Sequence, residues 1–331
     1  RIGKSILKQL LNDENFKSVA INEINPSIEN IVYSINYDST YGKLNDKFKV
    51  IENSFIQNQK SKIKITNFKD ISELNLDGVD ILIDASGQKT DLNKLRNLKV
   101  DKIILTHPQK DADINIVLGV NEEKIDLKNH KIISTSSCNA TALLPALKLI
   151  DDTKEIICGD IVTIHPLLNH QRVLDGSFVQ SATRDVDLNF EFGRSSTQNI
   201  IPSQTTTIKA CSYVLEKFNS NLISSNSLRV PTDTVGVINV TLFTKEISSK
   251  DEIKNLFLEF ERNQKFPIVL NNFEALVSSD FKKEKFTTIV DHRFLEVKQN
   301  MIKLLLWYDN EWGYASKVVE ILKYIDIKKA R

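Results

Sequence analysis

Between residues 79 and 134, short apolar runs of strand length alternate with helical and turn-like stretches. No other feature of the chain constrains its fold as strongly. Val79-Asp-Ile-Leu-Ile-Asp84 is closed by the turn Ala-Ser-Gly87, and Lys102-Ile-Ile-Leu105 ends in Thr106-His107-Pro108. Runs that are apolar throughout, rather than at every second position, are buried on both faces, as in a parallel sheet. A short helix is expected over Asp91–Leu98, with further strands over Ile114–Val120 and Lys131–Ser134. Upstream, Ile6, Leu7, Leu10 and Leu11 share one side of a helix. Val19-Ala-Ile-Asn-Glu23 then reads as a strand ending in a carboxylate. Ile28 to Tyr41 reads as a helix and loop, followed by short strands around Phe48–Ile51 and Lys62–Ile65. The pattern predicts a doubly wound, mostly parallel α/β sheet whose ligands lie at the carboxyl ends of its strands. A helix followed by a strand and a terminal acid matches the back half of a dinucleotide-binding unit. There the acid accepts hydrogen bonds from ribose hydroxyls. Gly3-Lys-Ser5 lacks the upstream glycine of a phosphate-binding P-loop and is not read as one.

After residue 150 the pattern changes. Asp160-Ile-Val-Thr-Ile-His165 is a strand with a histidine at its end, and residues 166–198 form a long irregular stretch of the kind that carries function. Thr205–Lys217 reads as helical, Val235–Phe243 as a half-covered antiparallel strand, Asp251–Asn263 as an amphipathic helix and Met301–Trp307 as a strand. A helix with Val318, Ile321, Leu322 and Ile325 on one side closes the chain. This half is expected to be α+β on an antiparallel sheet. At 331 residues the chain has room for two domains. A formal net charge of +1 gives no electrostatic case for nucleic acid or anionic membrane as a partner. No apolar run reaches membrane-spanning length. The three cysteines Cys138, Cys158 and Cys211 are too few and scattered for a disulfide framework or a metal site, which points to the cytoplasm.

One cysteine sits in a distinctive place. In Ser134-Thr-Ser-Ser-Cys138-Asn-Ala-Thr-Ala-Leu-Leu-Pro145 a strand stops in small hydroxyl residues, and a helical run with Leu143, Leu144, Leu147 and Ile150 follows. A thiol at the head of a helix meets open N–H groups and the positive end of the dipole, which favour the thiolate. The same residues fit a cysteine packed in a turn. The local sequence leaves both readings open.

Several separated stretches bear on that choice together. Ser-Ser-Cys138, Thr-Ile-His165, Gln198-Asn-Ile-Ile-Pro202, Leu228-Arg-Val-Pro-Thr232 and Trp307-Tyr-Asp-Asn-Glu-Trp-Gly-Tyr314 occur in the order seen in phosphorylating glyceraldehyde-3-phosphate dehydrogenases. Tyr37-Asp-Ser-Thr-Tyr-Gly-Lys43 and Leu118-Gly-Val-Asn121 also resemble that family. The resemblance spans essentially the whole chain. It implies a Rossmann-type NAD-binding domain over 1–137, a catalytic domain over 138–308, and a C-terminal helix over 309–331 that returns to the first domain. The opening Arg1-Ile-Gly resembles the tail of the family's Asn-Gly-Phe-Gly-Arg-Ile-Gly turn, so the first strand and glycine turn are expected upstream of Arg1. Without them, NAD binding is expected to be poor.

The resemblance implies that Cys138 is the nucleophile and His165 its base, acting on a small phosphorylated aldehyde with NAD and inorganic phosphate. It places Ser137 beside the thiolate, and Asn139, Thr205, Arg229 and Arg194 around the phosphates. Arg1, Ile2, Glu23, Ser86, Thr106 and Asn310 fall where the family touches NAD. Glu23 would repel a 2′-phosphate and so favour NAD over NADP. A homotetramer and no metal are also implied.

The chain departs from the family's pattern near the phosphates. Asn139-Ala-Thr-Ala142 stands where the family has Thr-Thr-Asn-Cys, Leu168 where a threonine is usual, and Thr205-Thr-Thr207 where Thr-Gly-Ala is usual. The stretch Asp175–Gln198 is longer than the family's usual loop. Ala-Ile-Asn-Glu23, Thr-His-Pro108 and Asp-Asn-Glu-Trp-Gly313 resemble erythrose-4-phosphate dehydrogenase, which has an apolar residue at the Leu168 position and releases its thioester to water but keeps Cys-Thr-Thr-Asn. Three functions are therefore expected, in order: the phosphorylating triose enzyme, the tetrose enzyme, and a low-turnover paralogue with a binding role.

Overall fold

The computed structural model describes residues 1–16, 19–52, 54–88, 91–177 and 190–329. Helix α1 (Ile2–Leu10) buries Ile6, Leu7 and Leu10 on one face and leads to β1 (Ala20–Asn22) and α2 (Ile28–Asn36). Strands β2 (Lys49–Glu52), β3 (Phe55–Gln57) and β4 (Lys62–Thr66) follow. Together they form a sheet of order β1-β4-β3-β2, in which only the β1–β4 pair is parallel. The second sheet is parallel throughout. It contains β5 (Ile81–Asp84), β6 (Lys102–Leu105), β7 (Ile114–Asn115) and β8 (Ile132–Ser134) in the order β5-β6-β8-β7, with α3 (Leu92–Arg96) between β5 and β6. Ile103, Ile104, Ile132 and Ile133 are fully buried, as their uninterrupted apolar pattern predicts.

The strand expected over Ile114–Val120 ends after Asn115. There the Asn121 side chain turns the chain, accepting from the Val117 N–H and donating to the Asn115 carbonyl, and Gly119 takes a φ of +78°. Side-chain capture of backbone groups overrides the apolar run.

Helix α4 (Cys138–Lys154) carries the chain into the second half. Its N-cap Ser137 accepts the Ala140 N–H at 3.2 Å. Ala142, Leu143, Leu144, Ala146 and Leu147 are all fully buried, so α4 is a core helix rather than an amphipathic surface one. It crosses a large sheet made of β9 (Ile156–His165), β10 (Ile201–Ser203), β11 (Ile223–Arg229), β12 (Gly236–Thr244), β13 (Val269–Asn272), β14 (Thr288–Asp291), β15 (Glu296–Lys298) and β16 (Met301–Tyr308). Its order is β10-β11-β9-β12-β16-β14-β13, with β15 on β16. The expected antiparallel sheet is in fact mixed, because β11 runs parallel to β9 and β13 parallel to β14. The first of these pairs matters for the site: it sets Arg229 in register with His165.

Helix α5 (Thr207–Val214) is shorter than expected. Helix α6 (Lys250–Asn263) starts in a capping box between Ser249 and Glu252. Helix α7 (Trp312–Lys329) returns to the first half and packs on α1, where Gln9 donates to the Trp312 carbonyl and Lys323 pairs with Asp13. One continuous core, from Ile6 and Ile104 through Leu143 to Ile238 and Val318, joins both halves. A cleft of about 1930 Å³ opens between β1 and β5, the facing edges of the two smaller sheets. Its walls run from apolar side chains such as Ile21 and Ile83 to Arg1, Glu23 and Ser86.

Candidate active site

Three buried elements bring the reactive groups together. Strand β8 ends in Ser134, and Ser136 then takes a φ of +58°, a left-handed conformation that serine rarely adopts. That turn is pinned from α7. The Tyr314 hydroxyl lies 2.7 Å from Thr135 Oγ1 and donates to the Ser136 carbonyl at 3.1 Å. The turn delivers Cys138 to the first position of α4, half-buried, with its N–H at the positive end of a 17-residue helix.

From β9, His165 reaches the thiol with Nε2 3.8 Å from Cys138 Sγ. Its Nδ1 lies 2.9 Å from the Pro166 carbonyl oxygen, which can only accept. Nδ1 therefore carries the proton in the neutral ring, and the lone pair of Nε2 faces the sulfur. A base held in this tautomer can take a proton from the thiol, or from a hydroxyl formed beside it. Arg229 is 8% exposed and sits opposite His165 on β11. Adjacent strands are roughly 4.8 Å apart, so the guanidinium and the imidazole share one end of the sheet. The pairing continues past both strands, through Val230 N–H to the His165 carbonyl and Leu167 N–H to the Thr232 carbonyl. Leu168 follows on that extension, half-buried, with its N–H donating to Gln171 Oε1 at 2.7 Å.

Asn139 is not open to a phosphate in the way its position predicts. It is 8% exposed, its Oδ1 accepts from the Tyr308 hydroxyl at 2.6 Å, and its Nδ2 donates to Thr207 Oγ1 at 2.9 Å. Thr207 Oγ1 in turn lies 2.7 Å from Thr205 Oγ1. Burial pushes the Tyr308 phenol well above its ordinary pKa. The nearby Cys138 charge adds to this and Arg229 opposes it, so Tyr308 stays a neutral donor. Gly236 makes room for it, since a Cβ there would lie 2.5 Å from the Tyr308 hydroxyl. Sequence reasoning assigned no role to Tyr308, Thr207 or Tyr314. The one signal for Tyr308 and Tyr314 was their position inside the same conspicuous motif.

The remaining expected residues divide. Ser137 is placed beside the thiol as a helix cap. Arg194 does not join this network. It is exposed and paired with Asp175, Nε to Oδ2 at 3.1 Å. Half of the long insertion expected over 175–198, residues 178–189, lies outside the described residues.

On the cofactor side, Glu23 follows β1, Ser86 follows β5 and Thr106 follows β6, so all three stand at carboxyl ends of parallel strands. Ser86 and Thr106 both anchor on Asp84, the first donating to its side chain at 2.7 Å and the second to its carbonyl at 3.0 Å. Asn310 is 5% exposed, and its Oδ1 accepts from the Val235 N–H at 3.1 Å and the Thr234 hydroxyl at 3.2 Å. Val235 sits at a φ of +67°, a strained value for a β-branched residue, and Asn310 holds it there. The neighbouring Asp309 joins two separated motifs by accepting from Tyr41 at 2.8 Å and from the Trp312 N–H at 2.8 Å. Arg1 lines the cleft between β1 and β5. Its guanidinium pairs with Glu311 and donates to Thr40 Oγ1 and the Asp233 carbonyl, while Ile2 packs against the main core.

These residues fit a dinucleotide. The exposed Glu23 carboxylate, just past the end of β1, can accept from ribose hydroxyls. Among the described residues, no group of His, Cys, Asp and Glu could hold a metal ion.

Two family models match the chain: the glyceraldehyde 3-phosphate dehydrogenase NAD-binding domain over residues 1–92 and the C-terminal domain of the same family over 137–310. Among curated proteins, the chain is 32% identical to glyceraldehyde-3-phosphate dehydrogenase of Priestia megaterium, an alignment covering 99% of this chain and 96% of the relative. It is 30% identical to glyceraldehyde-3-phosphate dehydrogenase 1 of Bacillus subtilis, covering 98% and 95%. It is 32% identical to glyceraldehyde-3-phosphate dehydrogenase 2 of Caenorhabditis briggsae, covering 99% and 96%.

Proposed function

The chain belongs to the glyceraldehyde-3-phosphate dehydrogenase family and uses NAD, and from that premise we propose that it oxidises glyceraldehyde 3-phosphate, with inorganic phosphate, to 1,3-bisphosphoglycerate. The observation that carries this reading is the Cys138–His165 pair at the head of α4, with Nε2 3.8 Å from Sγ and Arg229 alongside.

In the proposed reaction the Cys138 thiolate adds to the aldehyde carbon and forms a thiohemiacetal. The Cys138 N–H, at the helix head, stabilises the developing oxyanion. His165 takes the hydroxyl proton on Nε2 as the carbon is oxidised to a thioester. NAD supplies the hydride acceptor when bound; Glu23, Ser86, Thr106 and Asn310 are the residues that would hold it. Arg229 grips a phosphate through its planar fork of donors, with Thr205 beside it. Inorganic phosphate then attacks the thioester and releases the acyl phosphate, returning the thiolate.

Leu168 favours a second reading. An apolar side chain where the family usually has a threonine cannot donate to the substrate's own phosphate, which accords with a longer aldehyde such as erythrose 4-phosphate and release by water. NADH formation from each aldehyde, with and without inorganic phosphate, separates the two. Phosphate-dependent turnover of the triose is expected. Phosphate-independent turnover of the tetrose would establish the second reading instead, and turnover of neither would leave a binding protein. Losing bidentate contact in Arg229→Lys is expected to raise KM for the phosphorylated aldehyde about 10- to 100-fold, the range of a charge-assisted hydrogen bond. An unchanged KM would remove Arg229 from the site.

The proposed assembly is a homotetramer. Val173, Leu174, Phe190 and Ile200 each expose more than half of their surface around the 166–200 stretch, an apolar patch suited to a partner copy. A monomer mass in sedimentation would contradict this.

A further inference from the structure

We propose that Asn139 is a positioning residue for the nucleophile: its carboxamide, clamped between the Tyr308 and Thr207 hydroxyls, holds the Cys138 thiol and ties it to the Thr205–Thr207 pair. The inference rests on the reading of Cys138 as the nucleophile.

The two ends of the carboxamide do different work. Nδ2 is taken by Thr207, at 2.9 Å, which fixes the plane of the group. Oδ1 accepts from Tyr308 at 2.6 Å and, with its remaining lone pair, from the Cys138 sulfur at 3.5 Å. A carbonyl oxygen accepts but cannot donate. The contact therefore stabilises the neutral thiol and offers nothing to the thiolate. It also keeps the Tyr308 hydroxyl occupied, so that donor is not directed at sulfur. Among the described residues, the titratable and charged groups around the thiol include His165 from β9, Arg229 from β11, Tyr308 from β16 and Tyr314 from α7. Both tyrosines are held above their ordinary pKa by burial and stay neutral. His165 and the helix head pull the thiol toward ionisation, and Asn139 pulls it back.

This balance suits a thiol that must attack and later leave. A nucleophile is most effective when its pKa lies near the ambient pH, because a strongly acidified thiolate is also a weak one. The same carboxamide makes a continuous chain of hydrogen bonds from Thr205, at the proposed phosphate site, through Thr207 to the sulfur. A hydroxyl residue at position 139, as is usual in the family, would be too short to span Thr207, Tyr308 and Cys138 together. The bulk added by Thr205-Thr-Thr207 is what supplies the partner for Nδ2. The two departures from the family's pattern therefore act as a pair.

The test is the pH dependence of Cys138 alkylation by iodoacetamide, read at that peptide by mass spectrometry so that the exposed Cys158 does not contribute. In Asn139→Ala the midpoint is expected to fall by about 0.5–1 pH unit, the worth of one hydrogen bond to the neutral thiol. Thr207→Val, which frees the carboxamide but keeps it, is expected to lower the midpoint by less. It decides the matter if Asn139→Ala does not fold. An unmoved or raised midpoint in the folded variant overturns the proposal. The readout needs no turnover. A lowered midpoint in a protein that oxidises neither aldehyde would refute the reaction and leave the role of Asn139 standing.

Discussion

Replacing Cys138 with serine is expected to abolish NADH formation, by at least about 10⁴-fold, while NAD binding stays measurable. The size of the effect follows from the chemistry. A serine hydroxyl is far less acidic than a thiol, and neither the end of a helix dipole nor an imidazole 3.8 Å away brings it to the ionised form at neutral pH. The substitution also removes the sulfur on which the thioester would form. The fold is not at stake, because Ser137, rather than residue 138, caps α4, and the core lies further along at Leu143, Leu144 and Leu147. Glu23, Ser86 and Asn310 stand on other elements and are left as they were, so titration with NAD separates lost chemistry from a lost site. Retained turnover in the serine variant would refute the assignment of the nucleophile.

The second large effect is expected at His165. In His165→Asn, kcat should fall roughly 10²- to 10⁴-fold, the span of a lost general acid–base group. Alkylation of Cys138 at neutral pH should slow as well, because the imidazole no longer shares the thiol proton. The two readouts answer different questions: the first reports the proton taken from the hydroxyl during oxidation, the second the resting state of the thiol. Asparagine is chosen because it can still donate to the Pro166 carbonyl, the bond that Nδ1 makes at 2.9 Å. A purely structural role for that bond would leave kcat within about threefold of the parent, and the base would have to be sought elsewhere.

Much of this arrangement was legible in the sequence, for physical reasons that differ from residue to residue. The buried strands at 81–84 and 102–105 announced themselves because burial on both faces requires apolar side chains throughout. The start of α4 at Cys138 was readable because small hydroxyl residues that end a strand are also the residues that cap a helix. The β9–β11 pairing was not readable. Parallel neighbours far apart in sequence leave no periodic trace, yet that pairing sets Arg229 beside His165. The strand expected to reach Val120 stopped at Asn115, because Asn121 captures backbone groups that a strand would have used. Arg1 lines the cleft, and its guanidinium is paired with Glu311 from the far end of the chain, a separation that leaves no local signal of the pairing. Asn139 was expected to face a phosphate, and whether a buried carboxamide faces outward or inward depends on partners such as Tyr308 and Thr207 that come from other elements.

The central claim is that Cys138 carries the acyl group. It is tested most directly by mixing the protein with NAD and glyceraldehyde 3-phosphate without inorganic phosphate and determining the intact mass at once. The expected result is a phosphoglyceroyl adduct on the Cys138 peptide that disappears when phosphate is added. NADH formation with no adduct on Cys138, or with the adduct on another residue, would contradict the account.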